Sequence, residues 1–369
     1  MLDQGFAGSE DCVRIAAVGD VLLTGGGGSG ASLRDPALFA PEVRSLLASC
    51  HLVVGNLEYT LPGDGRYVPT EPRVVAEPEW VDAVAAAGIH VVSLANNHMF
   101  DCLAPGFQKL RMRLDQAGLR YFGAGMDLAE AAAPALIETG GLRLAFLGAA
   151  DRRSGPPHFA ASGQFGVAPL DLPRMIEQIG ALHGEVDHVV VSLHWGEERF
   201  LIPAPEQVEQ ARALVEAGAT MVLGHHPHVL QGLEFWHGRP IVYSLGNFLA
   251  DDVPYANGDL LRWNRTERTG CVLLAELHPD RVADVRQVPT YDDRRLVGVD
   301  HSGFGQRRIE RVTRALARGV TLRRYRWEHL WVKTFLPILA HLRWSQLTRL
   351  RPHTICNALR NLLAARHAE

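Results

Sequence analysis

The chain has 369 residues, is 47% hydrophobic and 21% charged, and carries a formal net charge of −4. That length can bury a substantial core in one large domain or two smaller ones, and an acidic body without a recognised module argues against a nucleic-acid partner. No run approaches the roughly 18 uninterrupted apolar residues of a membrane span, and the first residues, MLDQGFAGSEDC, lack the basic and apolar regions of a secretory signal, which predicts a cytoplasmic protein.

Apolar runs rich in Val, Ile and Leu alternate with stretches of helical period, the pattern of an α/β fold with buried strands. The first predicted strand, VRIAAVG (13–19), runs into the polar TGGGGSGASLRD (24–35). LVVG (52–55) comes next, then a helix over PEWVDAVAAAG (78–88) and the strand HVVSLA (90–95). A helix over LAEAAAPALIE (128–138) precedes the strand LRLAFLG (142–148), which leads into DRRSGPPHFAASGQFG (151–166). HVVVSLHW (188–195), the helix PEQVEQARALVEAGA (205–219), ATMVLG (219–224) and PIVYSL (240–245) complete the alternation, and DDVPYANGDLLRWNRTERTG (251–270) follows. Most of these helices end in glycine, as helices commonly do. The three polar segments each follow a strand, where open α/β sheets build ligand sites, and are expected to wall one. TGGGGSG lacks the G-K-[ST] ending of a nucleotide P-loop and reads as a loop at the site rim.

From His301 onward 14 Lys or Arg stand against three acidic residues, so the chain divides into a body over 1–300 and a basic helical extension over 301–369. The extension reads as the helices RRIERVTRALARGV, WEHLWVKTFLPILAHLRW and TICNALRNLLAARH, broken near Pro337 and Pro352. Its arginines interleaved with Trp and Leu suit an anionic membrane surface or an acidic partner; they equally suit a cap packed on the body with its charges in water. Five cysteines without a C-x-x-C pair are expected to be free thiols, mostly buried.

The polar residues directly after the strands are of matching type. They are Gly19-Asp20, Gly55-Asn56-Leu57-Glu58, Asn96-Asn97-His98 with Asp101, His194-Trp195-Gly196, Gly224-His225-His226-Pro227-His228, and Ser244-Leu245-Gly246-Asn247-Phe248. Carboxyl ends of parallel strands meet at one edge, and carboxylates, an amide oxygen and imidazoles gathered there suit divalent metals such as Mn, Fe or Zn. One histidine at a strand end is more often a hydrogen-bonded surface residue than a ligand. Five strand ends with metal-compatible side chains would require five coincidences.

The blocks AAVGDVLLTG, VVGNLEYTL, VVSLANNHMFD, YFGAGMDLAEA, VVVSLHWGEE, VLGHHPHVLQG and IVYSLGNFLAD stand in the order typical of the CapA family, the capsule or poly-γ-glutamate biosynthesis proteins, which the chain resembles over roughly 14–252. Those proteins look like a divergent branch of the calcineurin-like metallophosphoesterases. The resemblance implies an α/β β-sandwich flanked by helices, here with a C-terminal helical extension, and two divalent ions bridged by a carboxylate and a hydroxide. It implies Asp20 and His228 as ligands of one ion, Asn97, His194 and His226 as ligands of the other, and His98 as a proton-transferring residue oriented by Asp101. Two positions depart from the superfamily pattern: Leu22 stands where D-x-H has its histidine, and Asn56 stands where G-D has its bridging Asp. Either Glu58 supplies the bridge, or one metal is held tightly and the other weakly.

The activity implied is a metal-dependent hydrolase or transferase acting on a phosphoester or on γ-glutamyl or peptide-like amide bonds, in a capsule or poly-γ-glutamate setting and with biosynthetic partners. A non-catalytic scaffold with a degraded structural metal site is the alternative that Leu22 and the basic tail motivate. Arg73, Arg152 and Arg153 are candidates for an anionic substrate, Trp195 and Phe248 for pocket walls, and Glu197 and Glu198 for a base or a supporting carboxylate; ordinary surface or core roles compete in each case.

Overall fold

The computed structural model describes residues 12–24, 35 and 37–336. The glycine run at 25–34, Pro337, Pro352, Cys356 and the expected last helix lie outside the described residues. Two sheets lie face to face. In the first, the strands Val13–Leu22, Leu52–Leu57, Val91–Ser93 and Arg120–Phe122 run parallel. Beyond Val13–Leu22 it continues antiparallel through Thr269–His278, Arg281–Asp292 and Val297–Val299, and Asn247–Ala250 pairs with the end of Val13–Leu22. In the second sheet, Leu142–Ala150, His188–His194, Met221–His225 and Arg239–Val242 are parallel, with Ala135–Thr139 and Leu233–Trp236 as antiparallel edges.

The apolar runs are continuous because both faces of each sheet are covered. Ile15, Ala17, Val54 and Val91 face Leu144, Phe146, Val190 and Leu223 in the layer between the sheets. The alternate residues Ala16, Val53 and Val92 pack outward on Val43, Val84, Phe107 and Leu110 of three helices. Val189 and Val191 of the second sheet meet Ile179, Ala211 and Leu214 of two more. The result is the expected α/β sandwich flanked by helices.

Local signals explain most boundaries. Asp171 caps Leu172–Leu182 by accepting from Arg174 N, and Pro205 starts Pro205–Glu216 where its missing N–H costs nothing. One predicted helix is corrected. Residues 128–138 form a helix only over Leu128–Ala132, and Ala135–Thr139 is an edge strand on Leu142–Ala150. Pro134 cannot extend the helix cleanly, and the burial of 135–139 alternates with period two.

In the basic extension, Phe304–Ala317 and Leu322–Leu330 are helices and a single π turn follows at Trp331–Phe335. Ile309 and Leu316 enter the same apolar clusters as the two sheets, and Thr313 Oγ1 accepts from Leu233 N at 3.3 Å. Trp327, Trp331, Phe335 and Leu336 remain exposed. Among the described residues no helix is long and apolar enough to cross a membrane. Cys50, Cys102 and Cys271 are free thiols, and Cys12, Cys102 and Cys271 are buried.

Candidate metal centre

The carboxyl ends of both sheets open at the same end of the sandwich. Asp20 stands in register with Asn56 and Asn247, and on the other sheet Ala150, His194 and His225 are aligned. Glycine makes the approach possible. A Cβ on Gly19 would collide with the Gly246 carbonyl oxygen, and one on Gly224 with that of Tyr243. The histidines after Met221–His225 sit in a strained turn, with φ of +93° at His226 and +55° at His228, values that non-glycine residues sustain where the surroundings enforce them.

The fold brings all six expected ligands together. Glu58, His194 and His226 offer donor atoms within 4.8 Å of one another, and so do Asp20, Glu58 and His228; all of these residues are buried. Asn97 joins through Oδ1, 2.7 Å from His194 Nε2. Glu58 belongs to both triads: its Oε1 is 3.6 Å from His194 Nε2 and 3.8 Å from His228 Nε2. That oxygen is buried and accepts no hydrogen bond, as His226 Nδ1 is buried without a partner. Orphaned donor atoms of this kind, on residue types that ligate borderline metals, fit divalent cations. Asn56 turns its amide nitrogen to the two carboxylates, donating to Asp20 Oδ1 at 2.9 Å and Glu58 Oε2 at 3.3 Å, while its oxygen accepts from Asn96 Nδ2 at 3.2 Å.

Surrounding groups fix these side chains. Asn247 Oδ1 is 2.8 Å from His228 Nδ1, and His226 N donates to Asp20 Oδ2 at 3.3 Å. His225, which the motif reading left unassigned, turns Nδ1 to within 3.2 Å of Asp20 Oδ1; its place in the G-H-H-P-H run was the available signal. His98 Nδ1 meets Asp101 Oδ2 at 2.8 Å, and the same oxygen accepts from Val74 N.

Charge follows from burial and neighbours. Burial pushes the Glu58 carboxyl up to about 8. Burial opposes ionisation of Asp20 too, but hydrogen bonds and charge from His225 and His228 hold it well below the usual range. His228 is carried up to about 10 against its burial by Glu58 and Asp20, while burial drops His226 to about 4 and His194 well below normal. Burial also opposes a charge on His98, and Asp101 outweighs it, raising the imidazole.

A cleft of about 260 Å³ opens over His98, Asn97 and His228, walled by Ser154 and Gly155 on one polar segment and Tyr255, Leu261 and Trp263 on another, as expected of the segments at 151–166 and 251–270. Leu22 lines it as well. Other wall assignments are corrected. Trp195 lies in the core against Tyr243 and Phe248 against Phe39, because both side chains point into packed layers; Trp263, 5.0 Å from the His228 ring, is the aromatic wall. Arg73 is held by Glu71 and Val68 O, Arg153 by Asp151 and Glu206, and Arg152 lies over Phe159, so none of the three lines the cleft; Arg199 does. Glu197 pairs with Lys333, whereas Glu198 reaches the cleft.

Fold and site together define a two-sheet α/β protein with a buried carboxylate–imidazole centre suited to metal at its strand ends. The model of the family described as bacterial capsule synthesis protein PGA_cap matches residues 14–252, and the chain belongs to that family. It is 34% identical over 239 residues to the capsule biosynthesis protein CapA of Bacillus anthracis, covering 63% of this chain and 56% of that one. It is 29% identical over 267 residues to the PGA biosynthesis protein CapA of Bacillus subtilis, covering 72% and 68%. The chain therefore spans between about half and two-thirds of the length of these curated relatives. A phosphatase from Mycoplasma pneumoniae aligns over 77% of this chain and 96% of its own at 12% identity, with a TM-score of 0.47.

Proposed function

We propose that the protein is a metal-dependent hydrolase of the metallophosphoesterase kind, cleaving a phosphoester or a γ-glutamyl or peptide-like amide in capsule or poly-γ-glutamate metabolism. The observation that carries this reading is Glu58: a buried carboxylate common to two triads of donor residues, one of whose oxygens accepts no hydrogen bond. Asp20, Glu58 and His228 would hold one divalent ion, and Glu58, Asn97, His194 and His226 the other. Such a pair supplies Lewis acidity and a water of lowered pKa.

The chain's own residues do the rest. Asn56 keeps Asp20 and Glu58 at a fixed spacing. Asn247 sets the His228 ring through Nδ1, leaving Nε2 toward Glu58. His98, its Nδ1 engaged by Asp101, presents its other nitrogen at the cleft and delivers a proton to the leaving group there. Leu22 and Trp263 limit water at the centre.

Metal content by plasma mass spectrometry and turnover of a generic phosphodiester with and without Mn test the reading. Near two ions per chain, with turnover lost in His226→Ala, is the expected result. Folded protein that takes up no metal and shows no turnover would establish the scaffold reading instead.

A further inference from the structure

We infer that Arg199 is the residue that seizes an anionic group of the substrate, a carboxylate or a phosphate, beside the reacting bond. The inference rests on reading the centre as hydrolytic and names the substrate class for it.

Arg199 supplies a guanidinium to a cleft whose carboxylates are otherwise Glu71, Asp101 and Glu198. Glu71 is engaged by Arg73 at 2.7 Å and Asp101 by His98. Among the described residues the guanidinium of Arg199 is anchored through Nε alone, which donates to Glu267 Oε1 at 2.5 Å. Glu267 is itself fixed: its side chain is 1% exposed and its other oxygen accepts from Asn264 N at 2.8 Å. The Glu267 carbonyl accepts from Asn247 Nδ2 at 3.0 Å, and Asn247 Oδ1 reaches His228 Nδ1, so a continuous run of hydrogen-bonded groups ties Arg199 to the metal centre.

The backbone ties it as well. Arg199 has φ of +69°, and its N–H donates to Pro227 O, the residue between the two histidines of the turn. A left-handed arginine held at both ends to the centre marks a position whose direction is enforced at a cost in strain. The side chain is 43% exposed, and among the described residues neither terminal nitrogen donates to a protein group. An arginine serving only to neutralise Glu267 would spend its fork on that carboxylate; this one spends Nε and leaves the two-nitrogen edge open, the edge that matches a pair of anionic oxygens.

The experiment titrates glutarate and inorganic phosphate into the full chain by calorimetry, metal-loaded and chelator-treated, for wild type, Arg199→Gln and Arg199→Lys. Arg199→Lys guards against misfolding, because it keeps a cation beside buried Glu267 while removing the planar fork. A loss of about tenfold or more in affinity for at least one anion in both variants, with metal content unchanged, is expected; the anion that loses more identifies carboxylate or phosphate as the group recognised. Equal affinities in wild type and in Arg199→Lys would overturn the inference. Failure of the hydrolase reading looks different: wild type would bind neither metal nor turn over phosphodiester, whatever the anion titration of the chelator-treated protein gave.

Discussion

Replacing Glu58 by glutamine separates the two roles that its carboxylate plays. In the metal-free protein the group is a burden. Its pKa is about 8, against about 4.5 when solvated, so between those values the folded chain holds a proton that the unfolded chain has released. Stability from this group is therefore full below pH 4.5 and declines as pH rises toward 8. At pH 7 the gap of about 2.5 units corresponds to roughly 3 kcal/mol. The neighbouring His228 imidazolium pulls against burial and keeps the Glu58 carboxyl from rising further. Metal-free E58Q should accordingly be more stable than metal-free wild type by roughly 1–3 kcal/mol at pH 7, and equal to it near pH 4. With metal the order reverses: both triads lose their shared charge, and affinity should fall by more than the 10- to 100-fold typical of a merely supporting residue. Urea melts from pH 4 to 8 and calorimetric Mn titration measure both halves. E58Q that still takes up two ions, or that is less stable than wild type throughout pH 6–8 without metal, would refute the reasoning.

Asp101→Asn keeps an acceptor for Val74 N but removes the carboxylate facing His98; kcat should fall about 10²-fold or more with metal content unchanged, checked by steady-state kinetics beside metal analysis. Gly224→Ala drives a Cβ into the Tyr243 carbonyl on a central strand, and thermal melts should show a loss of about 3 kcal/mol, or roughly 4 °C for a chain of 369 residues.

Where strand ends carried dense polar motifs, the sequence was easy to read. Val-rich runs covered on both faces announced Val13–Leu22 and His188–His194, and the polar groups directly after the strands, the histidines after Met221–His225 among them, converge at one edge as parallel strand ends require. Residues acting at a distance were harder. Arg199 follows two glutamates and reads as a solvated charge; only the buried Glu267, 68 residues later, shows where it is held. Trp263 lies in a loop of ordinary polarity, and its contact with His228 depends on the fold alone. Ala135–Thr139 was lost to a helix because alanines before Pro134 continue a helical period that the pairing with Leu142–Ala150 overrides.

Asp20 and Glu58 hang from one sheet, and His194, His226 and His228 from the other. A cation gripped by both would act as a rivet through the sandwich, so neither half of the molecule alone could assemble the grip, and loading it should resist sliding of one layer across its neighbour. Any slackening between the layers, even from a substitution far from the rivet where Val54 and Val91 face Phe146 and Val190, would be felt first as weakened hold on the ion.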